Sequence, residues 1–105
     1  MNGTRLELGV NAGIEHCRTM LEECRDHAGT GADVEINAAD VARADTATLQ
    51  MLIALRRDLR TNGGTLKWLA VSCEMHDVAE RMGLIEALGM PAVATPAVTN
   101  SPAEN

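Results

Sequence analysis

The feature that most narrows the folds open to this chain is a hydrophobic period that switches repeatedly between strand-like and helix-like. From Arg5 to Val10, Leu6 and Leu8 alternate with Arg5 and Glu7, the period of a half-buried strand. The spacing then lengthens: Ile14, Cys17, Leu21 and Cys24 recur at helical intervals, with Glu15, Arg18, Glu22 and Asp26 on the other face. Asn11 is a good N-cap for this helix, and Gly29, Thr30 and Gly31 end it. A second strand is predicted from Asp33 to Ala38, where Val34, Ile36 and Ala38 alternate with Asp33, Glu35 and Asn37. A polar loop from Ala39 to Ala44 carries Asp40, after which Asp45 or Thr46 caps the longest helix. Leu49, Met51, Leu52, Leu55 and Leu59 line its buried side, and Asn62, Gly63 and Gly64 stop it.

The third strand, Thr65 to Val71, is apolar on both faces, with Leu66, Trp68 and Ala70 on one and Leu69 and Val71 on the other. That pattern predicts a central strand. Ser72 caps a third helix containing Met75, Val78, Ala79 and Met82, Gly83 stops it, and Leu84, Ile85, Leu88 and Met90 close the domain. The lone histidine of that helix, His76, is read as a surface residue.

The order is therefore β-α-β-α-β-α, an α/β fold with a small, mainly parallel sheet. Parallel strands joined by helices cross over right-handedly. Because the first two strands keep one polar face, the helices are expected mostly on the other side of the sheet. The domain is expected to span residues 1–90. From Pro91 onward, Pro96, Pro102 and small polar residues replace the apolar pattern, so 91–105 is read as a flexible C-terminal tail.

Composition sets the kind of core and of partner. The chain has no Phe or Tyr and one Trp, so its core must be built from Leu, Ile, Val, Met and Ala. Acidic residues outnumber basic ones by 15 to 9, a balance that disfavours nucleic acid, whose phosphates are neutralised by Lys and Arg. The basic cluster Arg56, Arg57 and Arg60 falls at the end of a helix, where cations offset the carbonyl end of the macrodipole. No apolar stretch approaches the roughly 20 residues of a membrane span, and no secretory signal pattern opens the chain. The expected location is the cytoplasm, without membrane insertion.

Enzyme chemistry finds no foothold. There is no GxSxG elbow, P-loop or strand-linked GxGxxG, and the glycine pairs follow helices instead of opening them. Cys17 and Cys24 lie about 10 Å apart along one helix, too far for a disulfide. With His16 and His27 they match no common zinc spacing. No catalytic residue, metal site or cofactor is assigned.

The run Val41-Ala-Arg-Ala-Asp45-Thr46-Ala-Thr48-Leu49-Gln50-Met51-Leu52, following a strand that ends Val-Glu-Ile-Asn, resembles the signature of STAS domains, found in bacterial anti-sigma-factor antagonists and related regulators. In that family a strand and short loop lead to Asp-Ser/Thr-x-Gly-Leu at the start of a long helix. Asp45, Thr46 and Leu49 match, whereas Thr48 stands where the family usually has Gly. The resemblance runs on through Gly63-Gly64-Thr65-Leu66, Val71-Ser72, Met82-Gly83-Leu84 and Leu88, covering roughly Arg5 to Met90. The resemblance implies that the first of the family's usual strands is either missing or reduced to Met1 to Thr4.

The resemblance implies a non-catalytic protein-binding switch. Thr46 would be the phosphoacceptor of a partner kinase that is also the anti-sigma factor, and Asp40, Asp45, Thr46 and Thr48 would form the partner-facing rim. A hydroxyl in the first turn of a helix lies beside unpaired N–H groups, where a phosphate is well held. Asp and Thr are also ordinary helix-start residues, so capping alone accounts for the local pattern. The family implies several kinds of partner: a switch kinase or anti-sigma factor, a chemotaxis-type complex, or the ATPase of an ABC system that moves phospholipid. In the last case the chain is an accessory subunit and Thr46 need never be modified.

Overall fold

The structure, a computed structural model, describes residues 3–27 and 33–94. The expected helix stop at Gly29 to Gly31, the segment Met1–Asn2 and residues 95–105 of the expected tail lie outside the described residues. The described elements run in the order β1 (Gly3–Glu7), β2 (Asn11–Ala12), α1 (Ile14–His27), β3 (Asp33–Ala38), β4 (Arg43–Ala44), α2 (Thr46–Thr61), β5 (Thr65–Val71), α3 (Cys73–Arg81) and α4 (Ile85–Leu88).

The main sheet is parallel throughout, in the order β1-β3-β5. Each new strand is added on the same side of the last. Two right-handed crossovers of that kind put both connecting helices on one face. Leu6, Val34, Ile36 and Ala38 project from that face into a core completed by Cys17 and Leu21 of α1, Leu49, Leu52, Leu55 and Leu59 of α2, and Met75 and Ala79 of α3. The opposite face is polar: Arg5, Glu35 and Lys67 lie side by side in register, a cross-strand row of alternating charge. One step along, Asn37 donates from Nδ2 to Glu7 Oε1 at 2.8 Å. A small parallel sheet with its helices on one face is therefore the architecture, as the periods predicted.

Three details correct the sequence reading. First, β5 is an edge strand and β3 the central one. The apolar look of both faces of β5 has a local cause. Ile36 pairs with Trp68 but Asn37 pairs with Ala70, so Leu69 is an extra residue that inverts the alternation. Val71 thereby reaches the core beside Ala38, while Leu69 stays 37% exposed. Second, His76 is buried, its Nε2 lying 3.0 Å from the Pro91 carbonyl oxygen. This contact lays the first residues after the domain against α3, and Ala94 borders the same helix beside Cys73 and Asp77. Third, the loop after β3 contains a strand of its own. β4 pairs in parallel with β2, Asn11 with Arg43 and Ala12 with Ala44.

The C-terminal elements are tied down by polar contacts. Ser72 Oγ donates to the Val41 carbonyl at 2.6 Å and accepts from Met75 N–H at 3.1 Å, capping α3 as expected while anchoring the β3–β4 loop. Trp68 Nε1 donates to the Leu88 carbonyl at 2.8 Å, and Arg56 Nη1 donates to that of Ala87 at 3.2 Å. Gly89, with φ +70°, ends α4 in the left-handed region. A Cβ there would also stand 2.6 Å from Arg56 Nε, so the flexible guanidinium would have to shift, but it is the left-handed backbone that favours glycine.

Candidate functional site

The site is built by the small β2–β4 pair. One residue separates β2 from α1, and one separates β4 from α2. The register Ala12–Ala44 therefore sets Gly13 opposite Asp45, and the two helices start side by side. A Cβ on Gly13 would make only ordinary contact with Asp45 Oδ2, at 3.6 Å, but would crowd Asn11 Oδ1 at 3.0 Å.

Asp45 uses both carboxylate oxygens. Oδ1 accepts from the Thr48 backbone N–H at 3.0 Å and from the Thr48 hydroxyl at 2.8 Å, which caps α2. Oδ2 accepts from the Ile14 N–H at 3.1 Å, which serves the first turn of α1 across a separation of 31 residues. Asn11, the expected cap of α1, instead sits in β2 and accepts from Gly13 N–H at 2.9 Å. A single carboxylate thus satisfies donors at the starts of two helices, at the positive end of each macrodipole. Its partial burial by itself raises the acid's pKa. The bonds from Ile14 and Thr48, with the Arg43 guanidinium nearby, outweigh that burial and hold the group below the ordinary carboxylate range. Burial, with the Asp45 charge added, pushes the Cys17 thiol up, which keeps it protonated and unreactive.

The four residues expected to share the rim separate in the structure. Thr46 is exposed at the first position of α2, with its hydroxyl donating to Met82 Sδ at 3.4 Å. Asp45 is partly exposed beside it, its carboxylate committed to capping. Asp40 is exposed on the turn after β3. Thr48 is a correction. Expected to face a partner, it is 0% exposed, because the first turn of α2 directs it inward and Asp45 takes its hydroxyl. Where the family's Gly leaves space, this chain inserts a buried polar side chain that braces its own cap.

One residue that the sequence reading left out of the site does belong to its surface. Met82, assigned to the apolar stripe of α3, is instead its C-cap and is 42% exposed against Thr46. Val10 is 62% exposed, and its carbonyl accepts from Ala42 N–H at 2.8 Å and Arg43 N–H at 3.2 Å, just ahead of the Asp45 turn. Position before a glycine stop was the one available signal for Met82, since helix ends are commonly solvated. The rim is thus an exposed hydroxyl against the Met82 thioether, with Asp45 and Arg43 at its margin. It lies beyond the carboxyl end of β3, where open α/β sheets present their binding surfaces. Among the described residues, no group of three His, Cys, Asp or Glu side chains is placed to hold a metal.

A small parallel sheet with helices on one face, and a long helix opening on Asp-Thr beyond the central strand, define a STAS-type α/β domain. A family model described as "Mlab, STAS domain" matches residues 1–90, and the chain belongs to the STAS domain family. No curated protein matches the chain. STAS domains are generally non-catalytic protein-interaction modules. No helix among the described residues is long and apolar enough to cross a membrane.

Proposed function

We propose that this chain is a cytoplasmic, non-catalytic regulator of the anti-sigma-factor-antagonist type, which docks a protein partner through the rim at the start of α2. The observation that carries the reading is Thr46, exposed at the head of a helix whose first turn is already fixed by Asp45, with the exposed Met82 thioether against its hydroxyl. An exposed apolar side chain against a polar group suits a protein surface better than a small ligand. Phosphorylation of Thr46 by a partner kinase would work as a switch here. The phosphate adds about −1.5 to −2 charges beside Asp45 and replaces the hydroxyl's contact with Met82, opposing any acidic or apolar partner surface.

A second reading is favoured by the Asp45-Thr46-Ala47 run and by the Thr46–Met82 contact, which forms a joint without modification. On it, the chain is an accessory subunit clamped on the ATPase of a phospholipid-transporting ABC system.

Purification of the native complex with wild-type chain and with Thr46→Glu tests the rim. Recovery of an ATPase or kinase with wild type and its loss with Thr46→Glu supports it, and equal recovery refutes it. Incubation of the recovered kinase with ATP, followed by mass spectrometry, places phosphate on Thr46 if the switch operates. A transporter ATPase recovered with unmodified Thr46 establishes the second reading instead.

A further inference from the structure

The far end of α2 has a different chemistry. Arg56 and Arg60 form the wall common to two open depressions: one bordered by Ile53, Arg57, Thr61 and Ala87, the other by Gly63, Gly64, Thr65 and Leu66. No carboxylate lines either one, although the chain carries 15 acidic residues and a net charge of −6. Asp58, the only acid on α2, turns to α1 and pairs with Arg25 at 3.0 Å. Arg57 and Arg60 are exposed and have no ion pair among the described residues. Offsetting the macrodipole does not account for this concentration. A helix C-terminus carries about half a negative charge, and three guanidiniums exceed it several-fold. Arg56 is partly used by the carbonyls of α4, which leaves Arg57 and Arg60 as the surplus.

We propose that this end of α2 is a docking groove for an extended acidic segment of a partner protein. Shape and chemistry favour that occupant over a phosphate. The depressions are open and lie on either side of the shared Arg56–Arg60 wall, so a length of chain crossing the wall reaches both, and neither encloses a compact anion. The backbone donors that would cradle a phosphate are taken: Gly63 and Gly64 N–H bond to the end of α2, and Thr65 N–H and hydroxyl both bond to Asp33 Oδ1. What remains is guanidinium forks for carboxylates, with Ile53, Ala87 and Leu66 for the apolar residues between them. The surface is independent of the Thr46 rim, which lies at the opposite end of the same helix.

The test is fluorescence anisotropy of the full chain with a labelled peptide of Glu interspersed with Leu, against the same peptide carrying Gln for Glu. The Glu peptide is expected to bind, and to weaken as salt shortens the Debye length. In the Arg57→Glu/Arg60→Glu variant the affinity falls by about tenfold or more, Arg57→Lys/Arg60→Lys falls between that variant and wild type because lysine keeps the charge and loses the fork, and Thr46→Glu leaves it unchanged. Both arginines are exposed, and an unaltered urea transition verifies that the variants fold. Equal binding of the Glu and Gln peptides, or equal binding by wild type and the charge-reversed variant, overturns the proposal. Stronger competition by inorganic phosphate, duplex DNA or anionic phosphatidylglycerol vesicles than by unlabelled Glu peptide overturns it as well.

Discussion

The two ends of α2 are finished by opposite means. At its start one carboxylate gathers donors from two helices, and the neighbouring hydroxyl stays at the surface. At its far end a guanidinium reaches out to the carbonyls of α4, and two further arginines stay in solvent. Each end follows the sign of the macrodipole, anion at the N-terminus and cation at the C-terminus. They differ in how much structure depends on one side chain. Asp45 organises the first turns of α1 and α2 together, whereas Arg56 holds only the short α4. Stability and recognition are therefore close neighbours at the Thr46 end and are carried by separate arginines at the other.

Removing Asp45 is the sharpest way to break that contrast. Asp45→Ala uncaps two helices at about 1 kcal/mol each and strands the buried Thr48 hydroxyl, for a total near 3 kcal/mol by urea unfolding. A loss near 1 kcal/mol would show that the bond to Ile14 contributes nothing. The pH dependence carries the same signature. The folded protein holds Asp45 below its ordinary value of 3.8, so the carboxylate's contribution is complete above that value and is lost as pH falls through the lower folded-state value. Asp45→Asn, which cannot titrate, removes this part of the acid-limb slope.

At the other end, Gly89→Ala forces a side chain into a left-handed backbone and displaces the Arg56 guanidinium, and is expected to cost about 1 kcal/mol in the same unfolding assay. An effect within error would mean that α4 detaches freely. Thr48→Val keeps the shape and removes one bond to Asp45, lowering stability by about 1 kcal/mol. A neutral result would return Thr48 to the surface role that the sequence suggested. Smallest of all is Thr46→Ala, whose effect on stability stays within about 0.5 kcal/mol. A larger loss would make Thr46 part of the scaffold.

The legible parts of this molecule were those with enough residues to show a period. The alternation of Val34, Ile36 and Ala38 and the helical spacing of Leu49, Leu52, Leu55 and Leu59 sufficed for the order of elements and the one-sided packing. Two-residue strands have no period, so β2 and β4 were hidden inside what read as turn and loop, and with them the shared capping of α1 and α2. One inserted residue at Leu69 made an edge strand read as a central one. Within the site, Asp45 and Thr46 were visible because helix starts have strong residue preferences. The burial of Thr48 depended on how the first turn of α2 is aimed. The joining of Thr46 to Met82 depended on tertiary structure across 36 residues.

The bond from Trp68 to Leu88 has an optical consequence. With no Phe or Tyr in the chain, near-ultraviolet signal and emission come from this indole alone. Release of α4 would break that bond, expose more of the ring to water and shift its fluorescence to the red, giving every variant above a built-in dye for its C-terminal clasp.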